Sequence, residues 1–334
     1  MPERWLEGER HPEWRYTLDD FQSDDEPMAA CLGLARIAAR TGLPILILGE
    51  TGTGKTMLAR AIHNSSSRAK RPFIAFNSAA LSETLLDSQL FGHEKGAFTG
   101  AIRRVKGKFE LADGGTLFLD EIADMTPQGQ AKILRAVEYG EFERLGGEQL
   151  LDADVRLISA THLPLNRYLE TDHFRKDLFY RISGITLRLP SLRQRPNDLR
   201  GLTAAAIAAA SAAQRKTIVG LSRAAADRLL SYDWPGNLRE LNRVIHTAVA
   251  ITEEEVIAPE AILLERGVEG VAERTMLQSP APAGPGGADL SLRAAELRHI
   301  RAVMEQVSGN KRQAARMLGL SRSTLDRKLG VRPA

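Results

Sequence analysis

One cysteine, Cys31, is all the thiol chemistry in this chain of 334 residues. No intrachain disulfide can form, and a reducing cytoplasm fits best. Long apolar runs are also missing. The strongest, Leu43 to Leu48, is far too short to cross a bilayer, so no membrane partner is expected. The first residues, MPERWLEGERHPEWR, are charged throughout and carry no apolar signal core. No internal repeat is found. Only about 40 residues precede the first strand-like segment, too few for an independent domain of ordinary size. What remains is an ordinary globular composition, 43% hydrophobic and 26% charged, on a chain long enough for two or three domains.

Net charge is only +3, but it is unevenly spread. Residues 291–334 hold ten Lys/Arg against three acids, which makes that tail +7 on a body of −4. A compact basic module on a mildly acidic body suggests a polyanion as the tail's partner. Short apolar runs at 43–48, 73–76, 116–119, 155–159 and 185–189 alternate with amphipathic segments such as 56–65 and 127–139. That alternation predicts a parallel sheet flanked by helices. After Pro190 the strands stop, and 204–213, 222–230 and 237–251 read as helices, the second capped by Ser222. Residues 267–290 are rich in Gly, Pro and Ala and read as a linker. The expected layout is an N-terminal extension over 1–26, an α/β subdomain over 27–193, a helical subdomain over 194–266, the linker over 267–290, and a small all-α basic domain over 291–334.

The sequence Gly49-Glu50-Thr51-Gly52-Thr53-Gly54-Lys55-Thr56 follows an apolar strand and opens a helix, the setting a phosphate-binding loop needs. Its backbone N–H groups and the helix N-terminus are expected to cradle the phosphates of ATP. Lys55 would reach the β- and γ-phosphates, and Thr56 would bind Mg²⁺. Downstream, the strand 116–119 runs into Asp120 and Glu121, two carboxylates at the sheet edge where ligands bind in such folds. Asp120 is expected to hold Mg²⁺ through its water, and Glu121 to orient and polarise the attacking water.

Between these two elements stands Gly96-Ala97-Phe98-Thr99-Gly100-Ala101, an aromatic and a hydroxyl held between two glycines that can hinge. Paired with the phosphate loop, this GAFTGA segment resembles the signature of the bacterial enhancer-binding proteins. These are AAA+ ATPases that activate transcription by RNA polymerase carrying sigma-54. The resemblance runs from about Ile45 to Leu329. It implies that Gly96 to Ala101 contact sigma-54, with Phe98 and Thr99 presented outward, and that a companion hairpin lies around residues 145–148.

Further roles follow from the resemblance alone. Asn77 matches the asparagine that interacts with the catalytic glutamate, Thr161 the first sensor, and Arg239 the second sensor on the lid. His162 departs from the asparagine often found beside the first sensor. Arg175 and Arg181 match the arginine-finger region, where a guanidinium from a neighbouring subunit stabilises γ-phosphate charge. The partner is then a second copy, in a ring that is hexameric in the family, or a paralogue in a hetero-oligomer.

In the tail, residues 309–329 read as helix, glycine-containing turn, helix, with Ser321 as a cap. The segment resembles a Fis-type helix-turn-helix. Lys311, Arg312, Ser321, Arg322, Ser323, Thr324, Arg327 and Lys328 are the candidate contacts to double-stranded enhancer DNA. Asp326 is a departure that sits poorly near phosphates. Short of a receiver domain, the chain resembles the phage-shock and type-III-secretion activators, for which control by a separate regulatory protein is expected. The alternatives are a DNA-binding AAA+ regulator that does not act on sigma-54 and a AAA+ remodeller of other complexes. GAFTGA argues against the first, and the Fis-like tail with GAFTGA against the second.

Overall fold

The computed structural model describes residues 16–79, 82–171 and 173–264, and from the C-terminal part residues 300, 303–304, 310–318, 320 and 324–325. The chain divides into two compact units, Met1–Gly267 and Val268–Ala334.

The first unit is built on five parallel strands in the order β2-β5-β8-β1-β9. These are β1 (Ile45–Leu48), β2 (Phe73–Asn77), β5 (Thr116–Asp120), β8 (Arg156–Thr161) and β9 (Ile185–Arg188). Both faces of the sheet are covered, which is why the strands read as unbroken apolar runs. Ile45 and Ile47 point to one side, against α1 (Glu26–Ala39) and α2 (Lys55–Asn64). Leu46 points to the other, into a core with Phe76, Leu117 and Leu119. That second face is covered by α3 (Glu83–Phe91), α4 (Lys108–Leu111), α5 (Pro127–Tyr139) and α7 (Lys176–Ile182), with Ile133 and Leu178 fully buried.

Local signals set these elements. Thr126 caps α5 by accepting from the Gly129 N–H at 3.2 Å, Pro127 occupies its first turn, and Gly140 at φ 75° stops it. The helix therefore spans the residues expected of it. Packed chain begins earlier than the boundary at residue 26 would have it. Leu18 is 1% exposed within the α1/α2 core, so the segment 17–25 belongs to the ATPase body.

The lid holds α8 (Pro196–Gln214), α9 (Arg223–Leu230) and α10 (Asn237–Ile251) around the buried Trp234. Two expectations change here. The first helix starts at Pro196, eight residues ahead of Ala204, because that proline occupies its first turn, the one place a helix accepts it. Nor is the lid purely helical: β10 (Gly220–Leu221) and β11 (Val256–Ile257) form a short parallel pair. Ser222 does cap α9, accepting from the Ala225 N–H at 3.2 Å.

In the second unit, Asn310 caps the helix Lys311–Met317 by accepting from the Gln313 N–H at 3.2 Å. Ala314, Ala315 and Leu325 are buried with Ile300 and Val303.

Candidate ATPase site and remodelling loops

Strand β1 delivers the phosphate loop to the carboxyl edge of the sheet. Gly54 takes φ 102°, a left-handed conformation open to glycine, and α2 starts at the next residue, Lys55. The Lys55 ammonium is buried, donates to the Gly49 carbonyl at 2.9 Å, and lies 3.6 Å from Glu121 Oε1. Parallel pairing of β2 with β5 sets Asn77 beside Asp120. Ser78 fastens the same edge, its hydroxyl donating to the Asp120 and Glu121 carbonyls at 2.8 Å each. Thr51, Gly52, Gly54, Lys55, Thr56, Asn77, Asp120, Glu121 and Arg239 together line one cavity of about 490 Å³. Residues far apart in sequence thus converge on one space.

The two carboxylates differ in character. Burial and the neighbouring Glu121 charge push the Asp120 carboxyl above its ordinary value, against the pull of Lys55. Burial would raise Glu121 too, but its hydrogen bond to His162 and the Lys55 charge outweigh that and leave it below the usual glutamate value. Asn77 does not contact Glu121 among the described contacts; its amide oxygen accepts from the Ala79 N–H at 2.8 Å. Thr161 closes β8, where its carbonyl accepts from the Gly49 N–H at 3.3 Å.

Sequence reading missed the docking of the lid. Asn237, fully buried, donates to the Thr51 carbonyl at 3.1 Å and to Glu50 at 3.2 Å, and accepts from the Leu192 N–H at 2.7 Å. Leu238 donates its N–H to the Gly52 carbonyl at 2.9 Å. Any Cβ on Gly52 would lie 2.3 Å from the Gly236 carbonyl oxygen, so this approach requires glycine. Asn237 and Trp234 both take positive φ, 51° and 53°. Such strain persists only where surrounding contacts impose it, and here it lies at the lid–loop junction. Beside the loop opens a second cavity, about 410 Å³, walled by Phe21, Met28, Leu58, Leu189 and Leu238. Ser23, Asp24, Arg195, Asn197 and Asp198 complete its lining, so the space is mixed in character. No spacing rule in the sequence marks it, because its walls come from the N-terminal segment, the sheet and the lid.

Arg175 and Arg181 are not brought to either cavity. Both are exposed at opposite ends of α7. Arg175 pairs with Asp177 at 2.7 Å, and Arg181 donates to the Glu138 carbonyl at 3.0 Å. Gln130, fully buried on α5, positions the region by accepting from the Arg175 N–H at 2.9 Å and donating to the His173 carbonyl at 3.1 Å.

Residues 96–101 cap an excursion between α3 and α4, its base paired as β3 (Gly92–His93) with β4 (Val105–Lys106). Gly96 and Gly100 take φ 86° and 102° with open space around each, so backbone angle and not crowding calls for glycine. Thr99 is exposed, as expected. Phe98 departs from the expectation: it is half-buried, folded edge-on against His93 with ring centroids 5.0 Å apart. A second hairpin, β6 (Glu141–Glu143) with β7 (Leu150–Asp152), lies directly alongside. Leu145 in its turn accepts from the Glu94 N–H at 3.0 Å and donates to the Gly92 carbonyl at 2.9 Å. Arg144, 4% exposed, binds Glu94 at 2.9 Å and Glu110 at 2.6 Å, pinning the hairpin to both flanks of the excursion.

The family model for the sigma-54 interaction domain matches residues 21–188, half of the chain. The chain belongs to this family of AAA+ proteins. A AAA+ ATPase lid model matches residues 193–274, and a model of the Fis family of bacterial regulatory proteins matches residues 291–330. Among similar proteins, the transcriptional regulatory protein ZraR of Escherichia coli K12 is 43% identical over 293 residues, 88% of this chain and 64% of its own length. The Nif-specific regulatory protein of Klebsiella pneumoniae is 39% identical over 310 residues, 93% of this chain and 58% of its own. The chain therefore spans somewhat under two thirds of these relatives. Among solved structures, NtrX of Brucella abortus in complex with ATP aligns at a TM-score of 0.67 and 30% identity, covering 95% of this chain and 69% of that one.

Within the family's Fis-type segment, Lys311 and Arg312 open the helix capped by Asn310, and Thr324 adjoins the buried Leu325. Ser321, Arg322, Ser323, Arg327 and Lys328 lie outside the described residues.

Proposed function

We propose that this protein is a sigma-54-dependent activator that binds enhancer DNA and uses ATP hydrolysis in an oligomeric ring to open the promoter complex. The observation that carries the reading is the convergence of Thr51, Gly52, Gly54, Lys55 and Thr56 of the loop with Asp120, Glu121 and Arg239 on one cavity of about 490 Å³. The phosphates rest on the loop N–H groups and Lys55, and the base enters the neighbouring cavity between Phe21, Leu58, Leu189 and Leu238. Thr56 and Asp120 offer hard oxygen donors to the same space, the chemistry Mg²⁺ takes. Among the described residues there is no group of three His, Cys, Asp or Glu side chains that could hold a metal alone, which fits an ion that takes its other oxygens from phosphates and water. Bound there, Mg²⁺ would neutralise charge on the phosphate oxygens.

Glu121 accepts the hydrogen bond of a water whose oxygen forms the new bond to the γ-phosphorus. The bond from that phosphorus to the bridging oxygen breaks, and ADP and inorganic phosphate leave. Arg239 from the lid and an arginine from a neighbouring subunit, Arg175 or Arg181, stabilise the charge that develops. The ring is a hexamer of this chain or a hetero-oligomer with a paralogue, in the cytoplasm. Thr99 and Phe98 present the surface that meets sigma-54, and the basic tail holds the ring on DNA by neutralising phosphates.

The test is open-complex formation by sigma-54 polymerase on a promoter carrying this protein's enhancer. ATP should be required, Lys55→Ala and Asp120→Ala should abolish both hydrolysis and opening, and Thr99→Ala should abolish opening alone. Hydrolysis surviving Asp120→Ala would sink the assignment of the site. Opening surviving Thr99→Ala would favour a regulator that does not act on sigma-54.

A further inference from the structure

Helix α8 has no cap of its own. Arg195 precedes it without a side-chain acceptor, and Pro196 has no N–H, so the first amide donors left open are those of Asn197 and Asp198. Both donate to the Asp25 carboxylate, at 3.3 and 2.9 Å, and the Asn197 side chain adds a third bond at 2.9 Å. Asp198 answers from the third position of the helix. Its carboxylate accepts from the Ser23 hydroxyl at 2.8 Å and from the Asp24 N–H at 3.4 Å. This reciprocal pattern is that of a capping box, assembled from two segments 172 residues apart. The main chain of Asp25 meanwhile opens α1, its carbonyl accepting from the Met28 and Ala29 N–H groups at 3.0 and 2.9 Å. One buried residue holds the starts of two helices, one in the body and one in the lid.

We propose that Asp25 is a positioning residue for nucleotide binding, and that its clasp on α8 sets the lid wall of the base cavity against the body. The proposal rests on reading the cavity of about 410 Å³ as the place of the base. Asp25 itself does not line that cavity, but the residues its clasp joins do: Ser23 and Asp24 on one side, Asn197 and Asp198 on the other. The body side is fixed. Leu18 is buried in the α1/α2 core, and Arg36 donates to the Leu18 and Phe21 carbonyls at 3.1 and 3.0 Å. On the lid side, Gly201 and Leu202 continue the wall one turn further along α8. The phosphate loop is tied to the lid by other groups, Asn237 and Arg195, which donate to the Thr51 and Thr53 carbonyls at 3.1 and 3.3 Å. Loosening the Asp25 clasp therefore acts on the base and spares the phosphates.

Equilibrium binding to the full chain in Mg²⁺ tests this, with ADP as the ligand that carries a base and inorganic pyrophosphate as the one that does not. Asp25→Ala is expected to weaken ADP about three- to tenfold, the scale of one lost helix cap, and to leave pyrophosphate within about twofold. KM for ATP should rise by a similar factor while kcat at saturation stays within about twofold. Asp25→Asn, which keeps one acceptor oxygen, should fall between alanine and wild type. Should alanine prevent folding, the asparagine variant carries the same split between the two ligands at about twofold. An unchanged ADP affinity overturns the proposal. So does equal weakening of both ligands, which would mean a general loss of shape. Equal affinity of the wild type for ADP and pyrophosphate would instead overturn the base-cavity reading beneath it.

Discussion

Gly146 lies so close under Ala97 that a Cβ added to the glycine would come within 2.7 Å of the alanine's own Cβ. The two residues belong to different loops, the β6–β7 turn and the GAFTGA segment, and between them there is space for backbone only. Gly146 also takes φ 73°, which a side chain would strain. With the Leu145 hydrogen bonds and the buried Arg144, this contact makes the two loops one body. Whatever moves one moves the other.

Substituting Gly146 should therefore uncouple hydrolysis from remodelling. Gly146→Val is expected to displace the GAFTGA segment while leaving ATP turnover within about twofold, since neither cavity of the ATP site includes it. Open-complex formation should fall at least about tenfold, and stability by about 1–3 kcal/mol, from crowding and backbone strain. Normal opening by this variant would show that the loops act separately.

Arg144 makes a sharper case. Arg144→Met should destabilise the fold by about 1–3 kcal/mol, because it removes the buried partner that Glu94 and Glu110 share and leaves them only the exposed Arg104 and Lys106. A pH dependence accompanies it. Burial would raise the Glu110 carboxyl, but hydrogen bonds from Arg144 and Lys106 hold it below its ordinary 4.5. A carboxylate depressed in the fold adds stability that is present above its unfolded value and lost as pH falls through the folded one. The gap between wild type and Arg144→Met in denaturant titrations should thus be full at pH 7 and shrink below about 4.5. A gap independent of pH would mean that packing, and not charge, is what Arg144 supplies.

The parallel sheet, the phosphate loop and the strand-end carboxylates were legible in sequence because each rests on local pattern: apolar runs, glycines at left-handed positions, acids after a strand. Helix α5 was legible as the amphipathic stretch 127–139, and its Thr126 cap and Gly140 stop came with the structure. Where a signal had two meanings, reading stopped short. A proline can end a segment or begin one, and the apolar pattern predicts a helix only from Ala204, eight residues after Pro196 starts α8. The β10–β11 pair, two residues on each side, leaves no period to detect. The tie of Asn237 to Glu50 across 187 residues and that of His162 to Glu121 across 41 are purely tertiary. The resemblance presents Phe98 outward, yet it has a partner within the chain, His93, only five residues away.

His63 predicts acid sensitivity of a different kind. It is buried at 2% exposure with Nδ1 2.9 Å from the Thr116 hydroxyl, and burial drives its pKa down to about 4. The unfolded chain, with histidine near 6.5, binds the proton first as pH falls. Stability should drop between pH 6.5 and 4 by up to ~3 kcal/mol from this group, by 1.36 kcal/mol per pKa unit. His63→Gln, which keeps a polar partner for Thr116 without a titrating ring, should flatten the profile in that window. The same slope in wild type and variant would assign the loss to other groups.

Arg175 and Arg181 supply the last prediction. Each is exposed, neither lines the cavity holding Lys55 and Asp120, and each is bound on its own subunit by a weak surface partner, the Asp177 carboxylate or the Glu138 carbonyl. Exposed pairs of this kind contribute little, at most ~1 kcal/mol, so either arginine can leave its partner for a phosphate across an interface. If both act in trans, ATP turnover per subunit should rise with protein concentration as rings assemble. Arg175→Ala and Arg181→Ala should lower kcat by about 10³ or more, the scale of an arginine finger, without a comparable change in nucleotide affinity. Mixing decides the matter. Arg175→Ala subunits keep an intact site, and Asp120→Ala subunits keep intact arginines, so two preparations that are each inactive should regain turnover together. Arginines acting within their own subunit could not be rescued this way, and a monomer fully active in sedimentation-checked dilution would rule out the trans arrangement altogether.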